Sequence, residues 1–202
     1  MRFLIILGIF LVFGLCACEN TPSKELNLNF IGDSQVRNWD TDLWFNYAET
    51  NNYGIPGQKA TDLINITSSY SGLENKILLI GINDLLAMDF ETPDASEAFS
   101  NLQECFENII TYFVSDGSLM VITVLPLSEE ESAIRGEGIN QHVVLLNDFL
   151  RMTCAQTGAK FVDAAKTLAP QGHLTERFTL DGLHLNNEGY EILSKAIRLY
   201  YY

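Results

Sequence analysis

Apolar positions along the 202-residue chain fall into two spacings. Residues 26–31 have the look of a first strand, and the runs at 76–82 and 119–125 are continuously apolar, the pattern of strands buried on both faces. A shorter run at 160–164 and a weaker extended stretch at 51–54 are further strand candidates. Between them, apolar residues recur at helical spacing over roughly 35–47, 60–69, 94–115, 139–157 and from 187 to the C-terminus. No internal repeat or low-complexity block interrupts this alternation. Such an order predicts one α/β unit, a parallel sheet covered by helices on both sides. In sheets of that kind ligands bind beyond the carboxyl ends of the strands, so the residues that matter should follow the strands.

The first 26 residues break the pattern. Met1-Arg2 precedes an apolar run from Phe3 to Phe13, then Gly14-Leu15-Cys16-Ala17-Cys18. Eleven helical residues rise about 16 Å, roughly half of a hydrocarbon core, so the run suits a signal segment over 1–17 better than a membrane span. The cleavage region resembles a bacterial lipoprotein box, with Leu15 three residues before Cys18 and small Ala17 just before it. That resemblance implies lipidation at Cys18, a polar tether over 18–26 and a folded domain over 27–202. Cut without lipidation, the same segment would be a plain secretory peptide.

Charge narrows the partners. Twelve Lys and Arg against 26 Asp and Glu give a net charge of −14, opposite to what a nucleic-acid phosphate backbone requires. Anionic lipid headgroups are repelled as well, so membrane attachment needs a covalent or apolar anchor. Beyond the leader only Cys105 and Cys154 remain; two cysteines do not staple a domain of this size, and whether they pair is open.

Polar residues of specific kinds follow the expected strands. Gly32-Asp33-Ser34 follows the first, Gly54-Ile55-Pro56-Gly57 the second, Asn83-Asp84 the third, and Asp181-Gly182-Leu183-His184 precedes the last helix. A serine hydroxyl is a weak nucleophile near neutral pH and needs a base such as an imidazole within hydrogen-bond reach. Ser34 and His184 fit those roles, and Asp181, three residues before His184, is close enough on a turn to fix its tautomer. A tetrahedral intermediate also needs donors at its oxyanion. The Asn83 amide and the backbone N–H groups of Gly57 and Ser34 supply them. Each piece alone has a plainer reading: Ser34 or Asp33 as a helix cap, the glycines as turn punctuation, Asn83-Asp84 as a cap for a short helix.

Together, in this order, these blocks resemble the SGNH/GDSL hydrolase family. Phe30-Ile31-Gly32-Asp33-Ser34 matches the nucleophile block, Asn52-Tyr53-Gly54-Ile55-Pro56-Gly57 the glycine block, Gly81-Ile82-Asn83-Asp84 the asparagine block and Asp181-Gly182-Leu183-His184 the last. The resemblance runs from about residue 28 to the C-terminus. It implies a flavodoxin-like three-layer α/β/α sandwich of about five parallel strands, a shallow open site, and no metal or cofactor. It also implies Ser34, His184 and Asp181 as catalytic residues, with Ser34, Gly57 and Asn83 as the oxyanion hole. Gln35-Val36-Arg37 depart from the Leu or Ile-Thr that many members carry after the serine, which leaves subfamily and substrate open.

The expectation is an exported, lipid-anchored serine esterase of the bacterial cell envelope acting on short-acyl esters or O-acetylated carbohydrate. A lysophospholipase or other lipid esterase is the alternative, as is a non-catalytic lipoprotein that keeps the fold for binding. His142, expected on a helix surface, and His173, expected in a loop, lack the spaced partners of a zinc motif and read as structural. Glu129-Glu130-Glu131 reads as a solvated loop. Trp39 and Trp44 fit either the packing or the border of the pocket.

Overall fold

The computed structural model describes residues 26–136 and 138–201. The expected signal segment, Cys18 and all of the tether before Leu26 lie outside the described residues. Strands β1 (Asn27–Gly32), β2 (Glu49–Gly54), β3 (Lys76–Leu79), β4 (Leu119–Ile122) and β5 (Lys160–Val162) form one sheet in the order β2-β1-β3-β4-β5, every neighbouring pair parallel. Nine α-helices are described: α1 (Ser34–Arg37), α2 (Thr41–Trp44), α3 (Ala60–Leu63), α4 (Ile82–Leu86), α5 (Ala95–Ser115), α6 (Glu129–Arg135), α7 (Gly138–Thr157), α8 (Ala165–Leu168) and α9 (Asn187–Arg198).

Successive side chains of a strand leave opposite faces, and β1, β3 and β4 here feed two cores. Leu28, Phe30, Ile77, Leu79, Met120 and Ile122 pack on one face with Val36, Trp39, Phe45, Leu168, Leu193 and Ile197 of α1, α2, α8, α9 and their connections. Ile31, Leu78, Leu119 and Val121 pack on the other with Leu63, Phe106, Ile110, Phe113, Leu146 and Leu150 of α3, α5 and α7. This is the expected three-layer α/β/α sandwich. The chain leaves β1 toward β2 on one side and β3 toward β4 on the other, so the connections beyond the carboxyl ends of β1 and β3 diverge and leave a crevice there.

Several elements differ from the pattern reading. The helix expected over 35–47 is two: Trp39 turns into the core, 2% exposed with its Nε1–H donating to Ser194 Oγ, and Asp40 starts a new turn by accepting from the Leu43 N–H. After α3 the chain tightens into a 3₁₀ helix, Ile64–Tyr70, instead of continuing as α. The run over 76–82 stops as a strand at Leu79, since Gly81 at φ 127° redirects the chain and Ile82 opens α4. Glu129, Glu130 and Glu131 are not a loop but the first turn of α6, where Ser128 caps through the Glu131 N–H and the carboxylates face the positive end of the peptide dipoles. The weak stretch at 51–54 is part of a six-residue strand paired along all of β1. Cys105 and Cys154 are free, buried thiols on α5 and α7. Among the described residues no helix is long and apolar enough to cross a membrane.

Phe30 is fully buried in β1 with Trp39 and Phe45 each 5.1 Å away between ring centroids. Phe30→Ala is expected to lower unfolding free energy by about 3–5 kcal/mol, measured by urea denaturation.

Candidate active site

β1 ends at Gly32, and the chain turns directly into α1. Asp33 caps that helix by accepting from the Gln35 N–H at 2.9 Å, which leaves Ser34 at its first position above the sheet edge. The β2 end is pinned beside it. Asn52 Nδ2 donates to the carbonyls of Val36 (2.7 Å) and Trp39 (3.1 Å), and a Cβ at Gly54 would stand 2.2 Å from the Arg37 nitrogen, so only glycine lets β2 approach α1. Three residues on, Gly57 is exposed at φ 76°, a backbone region costly for other residues. Asn83 lies in the first turn of α4 with one amide hydrogen on the Gln58 carbonyl at 3.1 Å. That bond ties the Asn83 amide to the residue after Gly57.

His184 Nε2 is 3.0 Å from Ser34 Oγ, across 150 positions of sequence. Its Nδ1 is 2.7 Å from Asp181 Oδ2, while Asp181 Oδ1 accepts from the backbone N–H of His184 (2.7 Å) and of Leu183 (3.1 Å). A carboxylate beside Nδ1 requires the proton there, which leaves Nε2 as the acceptor for the serine hydroxyl. Burial works against the Asp181 charge, but these hydrogen bonds from His184 and Leu183 outweigh it and hold the carboxyl below the usual aspartate range. The sequence-predicted Ser34, Asp181 and His184 are thus brought into one hydrogen-bonded chain at the crevice. Asn83 and Gly57 come together through Gln58.

Two acids next to predicted residues take the capping part that the plainer reading offered them, Asp33 for α1 and Asp84 for a helix other than its own. Asp84 accepts from Ala60 N (2.8 Å), Thr61 N (3.2 Å) and Thr61 Oγ1 (2.9 Å), capping α3 from another element. Burial raises its pKa, and those bonds partly offset the rise. Asp33 is 1% exposed, and burial pushes its carboxyl up to about 7 against the pull of the Gln35 N–H and of His184. Gln35, also buried, reaches to the His184 turn with both ends of its side-chain amide. The residue type departs from the family's Leu or Ile after the serine, but its peptide-group partners carry no sequence signal.

His142 is half-buried on α7, stacked on Phe90 at 3.8 Å, with its Nδ1–H donating to the Gly138 carbonyl; His173 pairs with Asn140. No group of three or more His, Cys, Asp or Glu among the described residues is placed to hold a metal. Asp181 borders a polar cleft of about 290 Å³ with Ser128, Glu130, Glu131, Glu176 and Thr179. A larger cavity of about 780 Å³ does not include Ser34; its wall starts at Leu86, one helical turn past Asn83, and continues through Met88, Phe90, Ile134 and Ile139.

A protonated Asp33 in the folded chain, against an unfolded value near 3.9, means stability falls as pH rises from about 4 to 7, by up to about 1.4 kcal/mol per pH unit. Asp33→Asn keeps an acceptor for the Gln35 N–H. Its unfolding free energy is expected to decline less than that of the parent between pH 5 and 8 in denaturant titrations. Asp84→Ala, which strips three donors of their partner, is expected to cost about 2 kcal/mol in the same assay.

Residues 30–192 match the GDSL-like Lipase/Acylhydrolase family model. A solved protein from Streptococcus pneumonia, named for platelet activating factor, is 27% identical with a TM-score of 0.74, covering 88% of this chain and 85% of that one. An acetylxylan esterase from Geobacillus stearothermophilus shares the fold at 17% identity and a TM-score of 0.60, covering 87% and 93%. Among curated proteins, an N-acylneuraminate cytidylyltransferase of Streptococcus agalactiae is 22% identical over 88% of this chain, which spans 39% of that protein's length. The chain belongs to the GDSL-like lipase/acylhydrolase family.

Proposed function

We propose that this enzyme is an exported serine esterase, anchored through a lipid on Cys18, that removes short acyl groups from esters, with O-acetylated carbohydrate as the favoured substrate. The observation that carries the catalytic reading is the chain Ser34 Oγ, His184 Nε2, His184 Nδ1, Asp181 Oδ2, with separations of 3.0 and 2.7 Å. In the first step His184 Nε2 takes the hydroxyl proton as Ser34 Oγ bonds to the acyl carbon. The N–H groups of Ser34 and Gly57 and the Asn83 amide receive the negative charge on the carbonyl oxygen. Collapse breaks the bond to the alcohol, which leaves with the proton from His184. Water then attacks the acyl-serine with His184 again as base, releasing the acid and restoring Ser34. Throughout, Asp181 offsets the charge that His184 gains.

The carbohydrate preference draws on the fold shared with an acetylxylan esterase and on the polar cleft beside Asp181, whose hydroxyl and carboxylate groups suit a hydroxyl-rich alcohol portion. A second reading, a lysophospholipase or other lipid esterase, draws on the cavity in which Leu86, Met88, Phe90, Ile134 and Ile139 share the wall with Asp89, Glu91, Arg135, Gln141 and His142, its apolar side chains being the contact a long acyl chain would use. The anchor reading rests on the leader sequence alone.

The test is hydrolysis of p-nitrophenyl esters of graded acyl length by the full chain in detergent. Turnover highest on acetate and butyrate is expected. Ser34→Ala is expected to lower it at least about 10³-fold while the protein stays folded. Rates that rise toward long chains support the lipid reading instead, and full turnover by Ser34→Ala would remove Ser34 as nucleophile.

A further inference from the structure

The Ser34–His184 hydrogen bond is a single contact between two side chains that are both partly open to solvent. Something else must set their separation. Asp181 does not, because it lies three residues from His184 on the same turn and travels with it. The remaining bonds to His184 are local too: its carbonyl accepts from Leu180 N (2.9 Å) and Thr179 Oγ1 (2.8 Å), within the same turn. Elsewhere the turn is held by Ser128, whose N–H donates to the Gly182 carbonyl at 2.8 Å, on the β4 side of the crevice.

The link to the nucleophile is made by Gln35. Its Nε2 donates to the Leu183 carbonyl at 2.6 Å, and its Oε1 accepts from the Leu185 N–H at 3.2 Å. These are the peptide groups immediately before and after His184. Two bonds from one planar amide fix both position and rotation, as a neighbouring strand would. At its own end Gln35 has no freedom to follow the turn. Its backbone N–H is on Asp33 Oδ1 (2.9 Å), its carbonyl accepts from Tyr190 Oη (2.7 Å), and the residue is only 3% exposed.

We propose that Gln35 is a positioning residue, holding His184 at general-base distance from Ser34 by an amide bridge to the peptide groups on either side of the histidine. This inference rests on the assignment of Ser34 and His184 as nucleophile and base. Because the bridge acts through His184, it contributes to turnover when the imidazole is present and contributes nothing once it is gone. A purely structural glutamine would contribute equally in both cases.

The experiment measures kcat and KM on p-nitrophenyl acetate for the full chain carrying Gln35→Leu, alone and combined with His184→Ala, with circular dichroism to confirm folding. Gln35→Leu is expected to lower kcat about 10–100-fold with KM within about 3-fold, the scale of a misplaced catalytic group. In the His184→Ala background the same change is expected to alter the residual rate less than about 2-fold. Equal losses in both backgrounds, a loss carried by KM, or an unchanged kcat in folded Gln35→Leu would each overturn the proposal. Should Gln35→Leu fail to fold, Gln35→Met decides. It matches the length of glutamine but offers neither the donor for the Leu183 carbonyl nor the acceptor for the Leu185 N–H, so reduced kcat at constant KM supports the bridge and parental kcat overturns it. Ser34→Ala in parallel separates the two levels: parental turnover there refutes the nucleophile assignment itself, whatever Gln35 does.

Discussion

A hydroxyl at position 34 and an imidazole at position 184 come within 3.0 Å of each other, and the architecture of this domain is organised around that closure. The serine stands just past the end of β1, at the first position of a four-residue helix that has little rigidity of its own. The histidine stands on an irregular turn before α9, held by neither the sheet nor the core of a long helix. Each must be fixed by contacts that the local chain does not provide. Trp39 supplies one such contact at a distance, donating to Ser194 of α9 and stacking on Tyr190 at 5.7 Å, so the helices following the two residues share one apolar layer. Tyr190 adds a second by reaching the Gln35 carbonyl.

The crevice rim is built of segments whose peptide groups have no strand neighbour. Left unpaired and buried, each would cost about 1–3 kcal/mol. Buried primary amides take the neighbour's place. Asn147 bonds both the N–H and the C=O of Val124, and Asn140 does the same for Leu127 two turns earlier on α7, together holding the stretch between β4 and α6. Gln35 repeats the device across the His184 turn. Asp84 serves the backbone of α3 in the same spirit, with a carboxylate where only donors need satisfying. The rim is open to substrate yet fixed, because its fixing groups lie beneath it.

The sheet was legible because burial on both faces leaves a strong signature: β3 and β4 are continuous apolar runs, and their alternation with helices implies parallel strands. β2 was faint, since Asn51 and Asn52 spend polar side chains on β1 and α1, and such positions do not read as strand. Boundaries were lost where a tertiary contact overrode a periodic pattern, as at Trp39. The acidic start of α6 looked like a solvated loop because charge is favourable both in water and at a helix N-terminus. Ser34, Asn83, Asp181 and His184 were visible as motifs, each close to a strand end or a helix start. Gln35 and Asp84 were invisible in their roles because their partners are peptide groups, which every sequence contains and no sequence marks.

The most direct measurement on the proposed catalytic centre is site mapping by mass spectrometry after treatment with a fluorophosphonate, which reacts with an activated serine hydroxyl and leaves the phosphonyl group on oxygen. A single adduct on Ser34, formed in step with loss of esterase activity and strongly slowed in His184→Ala, is the predicted result. Inactivation with the adduct on another serine, or full activity in protein stoichiometrically labelled at Ser34, would contradict it.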